Sequence, residues 1–204
     1  MAGNKIFNYR TLLLISFFLI LLNSVSAQNN PVLFCNQSYK INNTGMFVLG
    51  SWAVLNIAGG AYGWSRYDGQ QKYFHQMNLF WNAVNLTIAG IALYNNYQVD
   101  CSLMGPDEIM SKHIKTERLL LLNSALDLGY IGTGLLLRHL SVQSENRGDL
   151  LKGYGNSLLL QGSFLLVFDL FLNQLLRNQR MDFIHGLSLM ISPEIAGFQF
   201  VLNL

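Results

Sequence analysis

Two carboxylic acids stand among apolar neighbours, Asp127 inside RLLLLNSALDLGYIGTGLLLRH and Asp169 inside QGSFLLVFD. A carboxyl group in such a stretch can bind a proton, coordinate a small cation or accept hydrogen bonds from amides, and in hydrocarbon it is costly until one of these partners is supplied. The chain has amides to supply. Between Phe74 and Leu93, FHQMNLFWNAVNLTIAGIAL, the residues His75, Asn78, Asn82, Asn85 and Ala89 fall on one helical face at i, i+3, i+7, i+10 and i+14. Asn56, Asn123 and Gln161 lie in other apolar stretches, so polar side chains from separate segments are candidates for one shared layer. No Lys or Arg stands at that depth to neutralise the acids.

Two roles follow from these residues. Asp127 and Asp169, ringed by Asn56, His75, Asn78, Asn82, Asn85, Asn123 and Gln161, would bind a small polar ligand, a cation or a proton. Alternatively the side chains fix helix packing through interhelical hydrogen bonds worth about 0.6 kcal/mol each. Packing is the plainer role for the asparagines. For the aspartates a ligand role is favoured, because Asn would provide the same hydrogen bond without burying an acid. His75 invites a metal or haem, yet no second His lies one turn away, and His113, His139 and His185 fall in loops or at the ends of apolar stretches. The spacing therefore gives no metal site and no cofactor. No nucleophile and base stand together either, so an enzyme has the least support.

The elements that must position these groups read as membrane spans. Hydrophobic residues make up 51% of the 204-residue chain and charged residues 12%, where a soluble domain carries roughly 25% charged. The net charge of +2, with no basic patch among aromatics, gives no footprint for nucleic acid. Four apolar stretches, at about 45–64, 73–94, 118–139 and 152–176, predict an all-α, four-helix transmembrane bundle built from two antiparallel helical hairpins within a membrane domain at 28–177. Asn123, Asp127, Tyr130 and Gly134 share a face at i, i+4, i+7 and i+11, and Tyr154, Gln161 and Asp169 share another. Gly59, Gly60 and Gly63 in the first span would let a second helix approach closely.

The flanks carry other signals. Lys5 and Arg10, an apolar run from Thr11 to Leu22 and small residues ending at Ala27 predict a secretory signal over 1–27, with an uncleaved first span as the alternative. A cleaved leader puts the mature start and the tail outside. Cys35 and Cys101 then share the outer side and predict a disulfide. Gln28–Thr44 reads as a polar external segment, and Tyr94–Glu117 as a loop with a short helix beginning near Pro106. In the tail at 178–204, alternation over Leu187–Ile191 and Phe198–Leu204 around a Ser-Pro-Glu turn predicts an extended pair or a β-hairpin.

The motif FHQMN followed by WNAVN, together with NSALDLGY, GYGNS and QGSFLLVFD, resembles an uncharacterised family of bacterial four-span membrane proteins, a domain of unknown function. The resemblance covers most of residues 45–177. It implies a multi-pass bacterial membrane protein and supplies no activity. The expected partners are the lipid bilayer, a small ligand or a proton or cation, and another membrane protein or a second copy of the chain.

Overall fold

Asn30 starts the first helix: its side chain accepts from the amides of Val32 at 2.8 Å and Leu33 at 3.4 Å, and Pro31 occupies the first turn, where no amide donor is needed. In the computed structural model the described residues are 30–191, with side chains through Gly186. They form α1 (Pro31–Arg66), α2 (Gly69–Tyr97), a 3-10 turn (Cys101–Leu103), α3 (Pro106–Gln143) and α4 (Gly148–Ile191). Tyr67 and Asp68 join α1 to α2, and Gly69 takes φ +57° there, a left-handed conformation that glycine adopts without a Cβ penalty. Pro106 opens α3, and Asp107 and Glu108 in its first turn complement the helix dipole.

The two hairpins, α1 with α2 and α3 with α4, are the closest-packed pairs. α1 and α4 each touch all three other helices, and α4 joins the two hairpins through its packing on α2. Met46, Leu49, Ala89, Leu120, Leu165, Leu172 and Leu176 form one apolar cluster, and Phe34, Cys35, Cys101, Ile109 and Phe183 form a second at the end where α1 begins. The Cys35–Cys101 disulfide lies in that second cluster and ties α1 to the 3-10 turn. We call this the disulfide end and the opposite one the turn end.

Several expectations are corrected. The polar segment expected over Gln28–Thr44 is not separate from the first apolar stretch: from Pro31 it is part of α1, which runs unbroken and, at 36 residues, is about 54 Å long at 1.5 Å per residue. Most of Tyr94–Glu117 is likewise helical, because the helix that Pro106 starts continues into the third apolar stretch without a break. Leu187–Ile191 continues α4 rather than forming a strand, five alternating residues being too few to separate a period of two from one of 3.6. Among the described residues there is no strand. The other half of the expected hairpin, 198–204, and the expected leader, 1–27, lie outside the described residues.

Three helices are long and apolar enough to cross a membrane, within Pro31–Arg66, Pro106–Gln143 and Gly148–Gly186, which is compatible with a membrane protein. α2 falls short on mean hydropathy, and the cause is its buried face: Asn78, Asn82 and Asn85 turn inward while Phe80, Val84, Ile88 and Ile91 turn outward. The whole bundle repeats this inversion. Leu122, Leu128, Leu136 and Val167 are exposed, while Asp127, Ser157, Gln161 and Asp169 are buried.

Candidate functional site

The amides form one network across three helices. Gln161 on α4 is fully buried; its Oε1 accepts from Trp52 Nε1 of α1 at 2.9 Å, and its Nε2 donates to Asn78 Oδ1 of α2 at 3.0 Å and Asn56 Oδ1 of α1 at 3.2 Å. Ser157, one turn earlier on α4, donates to the same Asn78 oxygen at 2.6 Å. Asn82 donates to the Asn78 carbonyl at 2.8 Å and accepts from Asn85 at 3.4 Å, extending the network along α2. A carboxamide carries both donors and an acceptor, so a few of them can satisfy one another where water is excluded. The arrangement is self-contained, and the interhelical packing role fits it.

The carboxyl groups differ. α3 and α4 run antiparallel with Gly134 against Gly155 and Asp127 against Gly162, so the Asp169 backbone stands seven residues, about 10 Å, nearer the disulfide end than the position opposite Asp127. Helical side chains lean toward their own N-terminus, and in antiparallel partners those leanings converge. Asp127 and Asp169 therefore come within hydrogen-bonding reach of one another. Both are buried, and among the described residues each has the other as its charged neighbour. Asp127 Oδ2 receives no hydrogen bond among the described residues, and neither does the indole Nε1 of Trp81, which meets Tyr130 edge-on at 4.6 Å, one turn along α3 from Asp127, have an acceptor. Two carboxylates are acceptors only, so a hydrogen bond between them requires a proton on one.

The structure brings Asn56, Asn78, Asn82, Asn85 and Gln161 together and pairs Asp127 with Asp169, but it separates two of the expected members. His75 lies at the turn end, half-buried, its ring stacked on Tyr67 at 5.4 Å and seated over Gly63, where any Cβ would collide with it. Asn123 faces outward, and Ser124 takes the buried position with its hydroxyl donating to the Leu120 carbonyl. Among the described residues no three His, Cys, Asp or Glu side chains cluster as a metal site would require.

A second polar cluster, at the disulfide end, has no counterpart in the sequence reading. Arg180 of α4 grips Glu117 of α3 with both forks, Nε to Oε1 at 2.7 Å and Nη2 to Oε2 at 3.0 Å. His113 Nε2 lies 3.0 Å from Glu117 Oε1 and 3.0 Å from the Leu176 carbonyl, so it carries a proton, while Nδ1 meets the Ser38 hydroxyl of α1 at 2.9 Å. That hydroxyl has two further acceptors in reach, the Phe34 carbonyl at 2.9 Å and Gln179 Oε1 at 3.1 Å. Burial pushes the His113 imidazole below its ordinary range, with the Leu176 carbonyl and Glu117 pulling it back. A cavity of about 30 Å³, lined in part by Ser38, Asn42, Lys112, His113 and Thr116, opens beside the ring. The signal was present: His113, Glu117, Leu120, Ser124 and Asp127 lie at i, i+4, i+7, i+11 and i+14, but the stripe shows only if the helix begins at Pro106 rather than near Arg118.

No curated protein matches the chain, and no solved structure does. A family model described as a family of unknown function (DUF6992) matches residues 48–170, a segment that holds the amide network and both buried aspartates. Because that match spans more than half of the chain, the protein belongs to this family of unknown function, DUF6992.

Proposed function

We propose that this is a bacterial four-span membrane protein whose intramembrane carboxyl pair, Asp127 with Asp169, binds a small ligand or ion. The observation that carries the proposal is a buried acid pair with an oxygen left without a donor among the described residues, inside a bundle whose exterior is apolar. Such an acid is an expensive way to hold two helices together when the neighbouring amides already do so. The outward residues of α2 are as apolar as those of the other helices, which supports a fourth crossing despite its lower mean hydropathy. In this reading the disulfide end faces the periplasm, where an oxidising milieu keeps Cys35 and Cys101 joined.

Asp127→Asn with Asp169→Asn tests it. A ligand present at about a hundred times its dissociation constant stabilises the folded state by about 2.7 kcal/mol. Melting of the detergent-solubilised protein should therefore rise with acid or with added sodium or potassium, and the double variant should fold, elute at the native size and lose that response. A double variant that fails to assemble, or a native protein indifferent to all three, contradicts the proposal.

A second reading is a structural subunit that binds another membrane protein, or a second copy, through small-residue faces. Gly60 and Gly63 of α1 are occupied by α2, so the first span's glycine face is not free. Ala125, Gly129 and Gly132 on α3 are exposed one turn apart and support the reading there. Gly129→Leu with Gly132→Leu should abolish cross-linking to a partner in native membranes; unchanged cross-linking removes this reading.

A further inference from the structure

We infer that the ligand of the Asp127–Asp169 pair is a proton, and that it arrives from the disulfide end of the bundle. This rests on the reading that the pair is the ligand site and adds the identity of the ligand and its side of entry.

The donor set falls short of what a divalent hard cation takes. Calcium takes six to eight oxygens, and magnesium a near-ideal octahedron. The pair offers four carboxyl oxygens, and the nearby Ser124 hydroxyl is committed to the Leu120 carbonyl. Two acids within hydrogen-bonding reach, with no other charge acting on them among the described residues, need a proton between them and have room for a second, one on each carboxyl.

The two ends of the α3–α4 seam differ. Toward the turn end the backbones touch: a Cβ on Gly134 would lie 2.9 Å from the Gly155 carbonyl, one on Gly155 would lie 2.7 Å from the Gly134 carbonyl, and one on Gly162 would lie 3.0 Å from Ile131. Such contact leaves no space for water, and the Gln161 amide beside it is saturated by α1 and α2. Toward the disulfide end the seam carries buried polar side chains among its leucines. Asn173 stands one turn beyond Asp169 and donates to the Glu117 backbone carbonyl at 2.8 Å, the Glu117 carboxyl group reaches His113, and His113 borders the cavity, whose 30 Å³ has room for water.

Proton uptake along this line balances bond for bond. A hydronium ion in the cavity gives a proton to the Ser38 oxygen and becomes water, as the hydrogen that Ser38 held toward the ring passes to His113 Nδ1; the new hydroxyl hydrogen points to Gln179 Oε1, with no heavy atom moving. The Nε2–H bond breaks as Glu117 Oε1 gains the proton, leaving His113 neutral with its hydrogen on Nδ1, and transient water beside Asn173 carries the proton on to Asp169. Arg180 of α4 grips both Glu117 oxygens, so a proton arriving at Oε1 must displace one of those hydrogen bonds, and Glu117 is the slow point of the route. The groups facing His113 are Ser38 from α1, Glu117 and the paired Lys112 on its own helix, and Gln179 and Arg180 from α4.

The test is time-resolved infrared spectroscopy of the full chain in lipid nanodiscs after a drop in pH. The carbonyl stretch of a protonated carboxylic acid should grow, and Asp127→Asn with Asp169→Asn should abolish the growing band. His113→Gln and Asn173→Leu, each confirmed as folded by circular dichroism and elution volume, should slow the rise by about tenfold with the same endpoint. Tyr130→Phe, toward the turn end, should leave the rate unchanged. The inference is overturned if the native protein shows no such band, if the band survives the double aspartate variant, or if His113→Gln and Asn173→Leu rise at the native rate. A missing band with sodium-dependent melting sinks the proton and leaves the ligand site standing; a missing band with no ligand response sinks both.

Discussion

Gln161 and Asn123 separate two kinds of amide that look alike in the sequence. Gln161 is fully buried and makes hydrogen bonds to α1 and α2, whereas Asn123 faces outward. Gln161→Leu leaves Trp52 Nε1 without its acceptor and Asn78 short of a donor, and should cost about 2 kcal/mol. Asn123→Leu should change stability by less than about 0.5 kcal/mol. Equilibrium unfolding in mixed micelles measures both; equal effects would mean that the network does not hold the helices. His113, outside the apolar stretches, carries a pH signature. Its folded form is held neutral by burial, so the unfolded chain binds the proton first as the pH falls. The stability that the neutral ring contributes is therefore present above the ordinary imidazole pKa of about 6.5 and is lost as the pH falls below it. Measured against pH, the native protein's unfolding midpoint should lose its margin over His113→Gln as the pH falls below that value, on top of whatever the aspartate pair adds in acid; a margin that does not change with pH contradicts it.

At the scale of the helix, what the sequence reveals depends on where a face is taken to begin. The polar face of α2 is legible because His75, Asn78, Asn82, Asn85 and Ala89 keep helical spacing over four turns, and the last four are buried. His75 leaves the group because spacing along one helix says nothing of depth: it sits at the turn end, against Gly63 and Tyr67. On α3 the buried stripe runs through Ser124 and Asp127, one position from the face centred on Asn123, and its upstream half is hidden when 94–117 is taken as loop. The disulfide was legible because both cysteines precede or follow an apolar stretch on one side; the Glu117–Arg180 pair was not, because 63 positions separate its members and only the α3–α4 register unites them. That register is set by glycine contact. Gly155→Leu should force α3 from α4 and cost about 1–3 kcal/mol. Loss of the native elution volume or a lower unfolding midpoint checks it, and a neutral result would mean the helices are not in backbone contact.

The molecule as a whole is turned inside out relative to a soluble bundle: acids and amides occupy the axis while leucines cover the outside. In a bilayer that inversion removes the usual drive to bury apolar surface, so small-residue contact and interhelical hydrogen bonds must hold the helices. The disulfide adds a covalent constraint across a sequence separation of 66, closing a loop worth about 2–4 kcal/mol to the folded state. Reduction with dithiothreitol should lower the unfolding midpoint without dispersing the bundle, as read by circular dichroism. The most direct test of the central claim, that two acids from α3 and α4 meet inside the bundle, is carbon-13 NMR of carboxyl-labelled aspartate in nanodiscs. Asp127 and Asp169 should titrate as a coupled pair, and replacing either with Asn should move the midpoint of the other. Two acids that titrate independently, each unmoved by the loss of its neighbour, would contradict the account.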